Sequence, residues 1–212
     1  MRMRKKKWAL PYLDEQSSVV IKDPTINKGK WKNELNKKIL HLEIGTGKGD
    51  YITQMRYKDE NIGWIGMEKD PNVACLAVKK IVDNEIDNIL YINNDAENIL
   101  EYFDQKEINS IHLNFSDPWP KKGHSKRRLS STNFLNKYYD ILEDDGCIIM
   151  KTDNSKLFEF SLVEFLKHKF ILEEVWVDFR RDEHEEDAIT EYERKFMDLG
   201  QPIYRAIFKK VV

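Results

Sequence analysis

The fold class is decided by the stretch Leu40-His41-Leu42-Glu43-Ile44-Gly45-Thr46-Gly47-Lys48-Gly49-Asp50. An apolar segment short enough for one buried strand leads directly into three glycines at alternate positions. Glycine permits tight turns and lets a bound molecule approach the backbone without meeting a Cβ atom. In open α/β sheets, nucleotides bind in the crevice at the carboxyl end of the first strand. The stretch therefore predicts a buried strand, a tight turn and a ligand site beside it.

On the carboxyl-terminal side of this stretch, short apolar runs alternate with amphipathic segments. A proline opens the first predicted helix at Pro71, a second helix spans Ser131 to Leu142, and a third follows Asn154. Strands that alternate with helices indicate a parallel α/β sheet. The predicted strands are Ile39–Ile44, Ile62–Met67, Ile89–Ile92, Ile111–Phe115 and Cys147–Met150.

The two ends of the chain differ from this pattern. Residues 1–35 are basic and then irregular, so they are interpreted as an N-terminal extension of a single domain over 36–212. Phe170–Phe179 and Ile203–Val212 have the pattern of two long strands, without a connecting helix of the usual amphipathic kind. We expect them to pair as an antiparallel edge of the same sheet.

Composition excludes several classes of protein. The chain has 212 residues, of which 41% are hydrophobic, so it can bury a core. No apolar run approaches the ~20 residues of a membrane span, and the basic start lacks the apolar stretch of a secretory signal. The two cysteines, Cys75 and Cys147, form no CxxC motif, which suits a reducing cytosol and predicts a cytoplasmic protein.

The distribution of charge is more informative than the net charge of −2. Basic residues cluster at positions 2–7 and 121–128, whereas five of the six residues from Asp182 to Asp187 are acidic. Either basic cluster alone is typical of a solvated surface. Together, in a slightly acidic chain, they favour an RNA or DNA partner whose phosphates they would contact.

Glycine spacing and nearby acids separate the candidate ligands. A dinucleotide site requires G-x-G-x-x-G, whereas this turn is G-x-G-x-G, and Glu43 would repel a pyrophosphate but attract a cationic amino acid or a sulfonium. Glu68 follows Gly49 by 19 residues, where an acid binds a ribose diol. Asp95 and its neighbours could meet an adenine edge. This combination describes S-adenosylmethionine and disfavours a nicotinamide oxidoreductase.

The predicted fourth strand ends in Ser116-Asp117-Pro118-Trp119-Pro120. The two prolines around Trp119 predict a stiff turn that holds Asp117 at the carboxyl end of the strand. Trp119 could stack on a base, and the lysines that follow could contact phosphate.

Five segments together resemble the bacterial tRNA (guanine-N(7)-)-methyltransferases: LEIGTGKG, GMEKD, NNDA, SDPWPKKGHSKRR and TEYERKF. The resemblance covers nearly the whole chain, from an RxRxxxxW-like start at Arg2 onward. It implies a Rossmann-like class I S-adenosylmethionine-dependent methyltransferase fold. The sheet would have seven mostly parallel strands, an antiparallel last strand and helices on both faces. The implied activity is methyl transfer to N7 of guanosine 46 in the variable loop of tRNA.

The resemblance also implies roles for individual residues. Asp117 would be catalytic and would contact the cofactor together with Glu43, Gly45, Gly47, Gly49, Glu68 and Asp95. The substrate would be held by Lys121, Asp153, Thr190, Glu191, Tyr192 and Glu193. The RNA would be bound by Gly123, His124, Ser125, Lys126, Arg127 and Arg128.

The chemistry of guanine N7 fits such a site. Its in-plane lone pair carries no proton, so it can attack a sulfonium methyl group in line without a general base. Catalysis is then mostly positioning and electrostatics. Asp117, Asp153 and Glu193 would stabilise the cationic product base. The five histidines show no metal-ligand spacing, so no metal is expected. We expect a monomer or a homodimer.

Several alternatives stay open at this point. Ser116–Trp119 loosely resembles the (N/D/S)-P-P-(Y/F/W) loop of amino-group methyltransferases, although Trp119 replaces the second proline. A non-catalytic RNA-binding module on the same fold would bind RNA without methyl transfer. From composition alone, Thr190–Phe196 predicts an acidic, solvated crossover. Either Asp153 or Asn154 could cap the following helix.

Overall fold

The computed structural model describes residues 5–212, so Arg2 and Arg4 of the basic start lie outside the described residues. The chain divides into two compact units, one ending at Asp104 and the other comprising Gln105–Val212. Within the described part of the chain, no helix has the length and apolar character needed to cross a membrane.

The first unit contains three parallel strands: β1 (Ile39–Ile44), β2 (Ile62–Met67) and β3 (Ile89–Ile92). β2 pairs with β1 on one side and with β3 on the other. Because the strands are parallel, their carboxyl ends and the turns that follow lie at one edge of this part of the sheet. The helices of this unit are α1 (Ala9–Glu15), α2 (Trp31–Glu34), α3 (Asp50–Met55), α4 (Pro71–Asp83) and α5 (Ile99–Tyr102).

Helix α4 begins at Pro71, as predicted, and Asp70 caps it by accepting the Asn72 backbone N–H at 2.9 Å. Its apolar stripe, including Ala77 and Ile81, is completely buried. Burying such a stripe is what stabilises a helix of this length.

Residues 9–35 pack within the first unit. The Trp31 side chain is fully buried and donates its Nε1–H to the Tyr102 carbonyl at 2.8 Å. Val20 forms a parallel bridge with Tyr91 beside β3. The division into an extension over 1–35 and a domain over 36–212 stays a prediction.

The second unit contains β4 (Ile108–Asn114), β5 (Leu142–Thr152), β6 (Phe170–Trp176) and β7 (Tyr204–Lys210). β4 and β5 are parallel, whereas β7 runs antiparallel to both β5 and β6. The helices are α6 (Thr132–Ile141), α7 (Ser155–Leu166) and α8 (Glu191–Asp198).

The seven strands form one sheet in the order β3-β2-β1-β4-β5-β7-β6. The predicted fold class, with its antiparallel last strand, is thereby confirmed. The long strands predicted near the end of the chain do pair antiparallel, and β7 lies inside the sheet while β6 forms its edge.

Several sequence-based boundaries were wrong: β4, for example, begins at Ile108 rather than at Ile111. β5 begins at Leu142 rather than at Cys147. The acidic residues around Glu143 and Asp144 break the apolar pattern in the sequence, but they lie in an irregularity of the pairing with β4, and the strand continues on both sides of it. The segment before β7 also contains a helix, α8, which was not expected. A hydrogen-bonded box between Thr190 and Glu193 starts it.

Candidate active site

The glycine turn after β1 has the conformation that its sequence predicts. Gly45, Gly47 and Gly49 have φ angles of 78°, 55° and 78°, in the left-handed region that disfavours other residues. A Cβ atom at Gly49 would lie 2.8 Å from the Ala77 Cβ, so glycine is also needed for the close approach of α4. A Cβ at Gly47 would meet nothing within 4 Å, which leaves the turn open to a ligand.

A buried tyrosine fixes this turn. The hydroxyl oxygens of Tyr91 and Thr46 lie 2.5 Å apart, and the Tyr91 ring occupies the space that a Cβ atom at Gly66 would need. Burial raises the pKa of Tyr91 well above its ordinary value, and the negative charges of Glu68 and Glu43 raise it further. No sequence pattern singles out Tyr91, because a tyrosine inside an apolar strand is typical of an ordinary core residue.

Glu68 connects the turn to the end of β2. Its carboxylate accepts the backbone N–H groups of Gly47 at 3.3 Å and Asp70 at 2.9 Å. Burial raises the pKa of Glu68, and these two hydrogen bonds oppose the shift. A carboxylate offers about four lone-pair positions, so Glu68 retains capacity for a ligand such as a diol.

The other two predicted carboxylates also follow parallel strands of the first unit. Glu43 lies near the end of β1 and is 1% exposed. Asp95, after β3, accepts the Glu97 backbone N–H at 3.1 Å and remains partly exposed. Three carboxylates around an open turn suit a cationic ligand and would repel a pyrophosphate. The donor set therefore fits the ammonium and sulfonium groups, the ribose and the base of S-adenosylmethionine.

In the second unit, Asp117 lies on a strained loop after β4. The flanking residues Phe115 and Trp119 have φ angles of 51° and 40°, which are uncommon for bulky side chains and are typical of functional sites. The Phe115 N–H donates to the Lys151 carbonyl at 2.8 Å, which anchors the loop to the end of β5. The Asp117 residue itself is exposed.

The charges of Asp117 and Asp153 both act on Tyr192, whose ring packs beside Phe115. The Tyr192 and Phe115 rings lie 5.1 Å apart between centroids. Burial raises the pKa of Tyr192, and the charges of Asp153 and Asp117 add to the shift. Burial also raises the pKa of Asp153. The electric field of two carboxylates thus reaches a half-exposed aromatic ring.

Asn154, not Asp153, caps helix α7 by accepting the Leu157 backbone N–H at 2.9 Å. Of the two candidate caps, Asn154 is therefore the one that is used, and the Asp153 carboxylate does not cap this helix.

The Thr190–Phe196 segment is not the solvated crossover that its composition predicts. Thr190 and Glu193 are buried because they form the box that starts α8. Glu191 and Tyr192, between them, are exposed. An exposed side chain at Tyr192 is therefore held on a buried, hydrogen-bonded frame.

The basic segment over positions 121–128 contains exposed residues and residues that contact the rest of the fold. Lys121, Lys122, Gly123, Lys126 and Arg127 are exposed, while His124 and Ser125 are half-buried. Arg127 lies over the Trp119 ring at 5.0 Å, and His124 meets the same ring edge-on at 5.8 Å.

Arg128 faces the Asp117 loop instead. Its Nε and Nη2 donate to the carbonyls of Pro118 and Trp119 at 2.9 and 3.1 Å, and its guanidinium lies 4.3 Å from the Phe160 ring. Two hydrogen bonds and a ring contact on one guanidinium hold the strained loop in place. No sequence pattern distinguishes Arg128 from the neighbouring cations, because its role depends on the folded loop.

At the amino-terminal end of the described chain, Lys5 and Lys7 are exposed, whereas Lys6 donates its ammonium group to the Asn72 carbonyl at 3.0 Å. Across residues 5–212, no three or more His, Cys, Asp or Glu side chains are grouped so as to hold a metal ion.

Comparison with known proteins agrees with this geometry. The model of a family described as "Putative methyltransferase" matches residues 37–206. A SAM-dependent O-methyltransferase from Thermotoga maritima has a similar fold, with a TM-score of 0.56 at 16% identity, over 96% of this chain and 71% of that one. The sheet, the glycine turn with its carboxylates and the family match define the class: a methyltransferase that uses S-adenosylmethionine.

Two relatives narrow the assignment. The chain is 44% identical to the tRNA (guanine-N(7)-)-methyltransferase of Bacillus subtilis, over 97% of each protein. It is also 44% identical to the enzyme of that name from Limosilactobacillus reuteri, over 98% of each. The chain belongs to the tRNA (guanine-N(7)-)-methyltransferase family.

Proposed function

We propose that this protein transfers a methyl group from S-adenosylmethionine to N7 of a guanine in tRNA, at guanosine 46 of the variable loop. The observation that carries the proposal is the 44% identity of the chain to enzymes of this name, and the charges of Asp117 and Asp153, which both act on the half-exposed Tyr192 ring, support it. An aromatic face with two adjacent carboxylates suits a guanine, which presents a flat ring and N–H donors.

Except for Asp117, the proposed cofactor residues belong to the first unit. When bound, S-adenosylmethionine supplies a methyl group attached to a cationic sulfur. Glu43 would attract the cationic part of the cofactor, Glu68 would accept hydrogen bonds from the ribose, and Asp95 would face the base. Gly45, Gly47 and Gly49 keep the backbone open enough for this approach.

The substrate residues are those of the second unit. Tyr192 would stack on the guanine ring, while Asp117 and Asp153 would accept its N–H groups. The methylated base carries a positive charge, so the two carboxylates would stabilise the charge that develops during transfer. Asp117 is the proposed catalytic residue, acting by position and charge rather than as a base. Lys121, Thr190 and Glu191 would border the same site.

The RNA backbone would be bound by the segment from Gly123 to Arg127, in which Gly123, Lys126 and Arg127 are exposed, together with Lys5 and Lys7. The half-exposed Trp119, with Arg127 over its ring, would add a stacking surface for a base. We further propose a cytoplasmic enzyme that acts as a monomer or homodimer and needs no metal.

A methyl-transfer assay with labelled S-adenosylmethionine and unmodified tRNA, followed by nucleoside analysis, tests the proposal. We expect 7-methylguanosine from the wild type and none from Asp117→Ala. Asp198→Asn, which changes an exposed carboxylate at the end of α8, is the matched control and should keep full activity. Methylation of an amino group would favour the alternative methyltransferase class. Binding of tRNA without transfer would favour the RNA-binding module.

A further inference from the structure

Four charged side chains are buried together in the second unit, and the proposed mechanism does not use them as a group. They are two cations, Lys151 and Arg180, and two anions, Asp187 and Glu193. Their side chains are 0%, 5%, 4% and 0% exposed, respectively. Buried charges occur in proteins when they are paired, because an isolated buried charge is strongly destabilising.

Each charge in this cluster has partners of opposite sign. The Lys151 ammonium group lies 2.6 Å from Asp187 Oδ2 and 3.1 Å from Glu193 Oε2, and it also donates to the Ala188 carbonyl at 3.1 Å. Arg180 pairs with the same two carboxylates through its Nε and Nη2. Two positive and two negative charges thus balance inside the fold.

Glu193 is fully engaged in this cluster. Its Oε1 accepts from Arg180 Nε at 2.6 Å, while its Oε2 accepts from Lys151 at 3.1 Å and from the Thr190 backbone N–H at 3.4 Å. With no exposed surface, this carboxylate offers a guanine nothing to contact. The family resemblance suggested Glu193 as a substrate ligand, but its surroundings favour a different role.

Lys151 connects the parts that carry the proposed guanine site. Its carbonyl accepts the Phe115 N–H at 2.8 Å, at the start of the loop that bears Asp117. Its side chain holds Glu193 and thereby the first turn of α8, which bears Tyr192. Asp153 follows it by two residues along the chain.

We infer that Lys151 and Glu193 are positioning residues, which act as a buried ion pair to set Tyr192 against Asp117 and Asp153. This inference rests on the proposed function, because the guanine is the ligand that Tyr192 would receive. It assigns Glu193 to the frame of the site rather than to its contact surface.

A double-mutant cycle distinguishes these two roles. Lys151→Met leaves one unbalanced negative charge in the cluster and Glu193→Gln leaves one unbalanced positive charge. The double variant, Lys151→Met with Glu193→Gln, restores the balance between Arg180 and Asp187. The measurements are the thermal midpoint of unfolding, kcat, and KM for tRNA and for S-adenosylmethionine. Asp198→Asn is again the control.

We expect each single variant to lose thermal stability and about 100-fold in kcat/KM for tRNA, because displacement of a reacting group by 1 Å has an effect of that order. KM for S-adenosylmethionine should stay unchanged, since these residues are not among the cofactor residues. The double variant should recover the thermal midpoint and return to within about tenfold of wild-type kcat/KM, the sign of a coupled pair.

Three results would overturn the inference. A double variant that regains its thermal midpoint but stays as inactive as Glu193→Gln would make Glu193 a substrate ligand. A double variant no more stable than the worse single variant would show that the pair is not coupled. Single variants with wild-type kinetics would show that the cluster positions nothing. If the wild type makes no 7-methylguanosine, the proposed function fails, but the coupling measured by thermal unfolding still tests the ion pair.

Discussion

The hydroxyl groups of Thr46 and Tyr91 lie 2.5 Å apart and tie the glycine turn after β1 to strand β3. Tyr91 is completely buried, so this hydrogen bond is shielded from water. The turn that would receive the cofactor is therefore held by a side chain that the cofactor need not touch.

Tyr91→Phe tests this arrangement, because it removes one oxygen and keeps the ring. We expect a loss of about 1 kcal/mol in the free energy of unfolding, the usual contribution of one hydrogen bond. We also expect S-adenosylmethionine to bind several-fold more weakly by titration calorimetry, because the turn loses its anchor. Unchanged cofactor affinity in a destabilised variant would limit Tyr91 to a packing role.

Glu68 predicts a pH dependence of cofactor binding. Burial raises its pKa above the ordinary value of 4.5. As the pH falls through this raised pKa, the carboxylate takes up a proton and loses the charge that strengthens its hydrogen bonds to a ribose. The affinity for S-adenosylmethionine should therefore fall as the pH is lowered through this raised pKa, and Glu68→Gln should bind weakly with a flatter pH profile. A wild-type profile in Glu68→Gln would assign the titration to another group.

The histidine in β1, His41, should make the free energy of unfolding sensitive to acid. Burial lowers its pKa to about 4, from 6.5. The unfolded chain then binds a proton between these two values while the folded chain does not. The contribution of neutral His41 to the free energy of unfolding is fully present above pH 6.5. It is lost as the pH falls toward 4, by roughly 3 kcal/mol in all. The free energy of unfolding, measured with denaturant at several pH values in this range, should change less with pH in His41→Gln than in the wild type. An equal change in both proteins would exclude His41 as the titrating group.

Arg127 and Arg128 are neighbours with different surroundings, so the two alanine variants should differ. Arg127 is exposed, so Arg127→Ala should weaken tRNA binding. The slope of the logarithm of the binding constant against the logarithm of the salt concentration should become shallower by about one, the effect of one lost phosphate contact. Arg128 holds the carbonyls of Pro118 and Trp119, so Arg128→Ala should lower kcat and leave the salt slope nearly unchanged. Fluorescence titrations of tRNA at several salt concentrations give both slopes. Equal slopes and equal kcat values would remove the distinction.

The sequence predicts those parts of the site that depend on local chemistry. The glycine turn, the start of α4 at Pro71 and the order of strands and helices follow from spacing and backbone preference within a few residues. The ion pair between Lys151 and Glu193 joins residues 42 positions apart, and a lysine in an apolar strand has no sequence signature of its partner. Arg128 likewise has the same residue type as Arg127, and only the folded loop separates their roles.

Attack by guanine N7 on the sulfonium methyl group can be tested by replacing that nitrogen atom. Unmodified tRNA can be prepared with either guanosine or 7-deazaguanosine at position 46, which replaces the N7 nitrogen by carbon and leaves the rest of the base unchanged. We predict methyl transfer from labelled S-adenosylmethionine to the guanosine tRNA and none to the 7-deazaguanosine tRNA, although both bind. Equal transfer to both tRNAs would contradict attack by N7, because the methyl group would then be going to another atom.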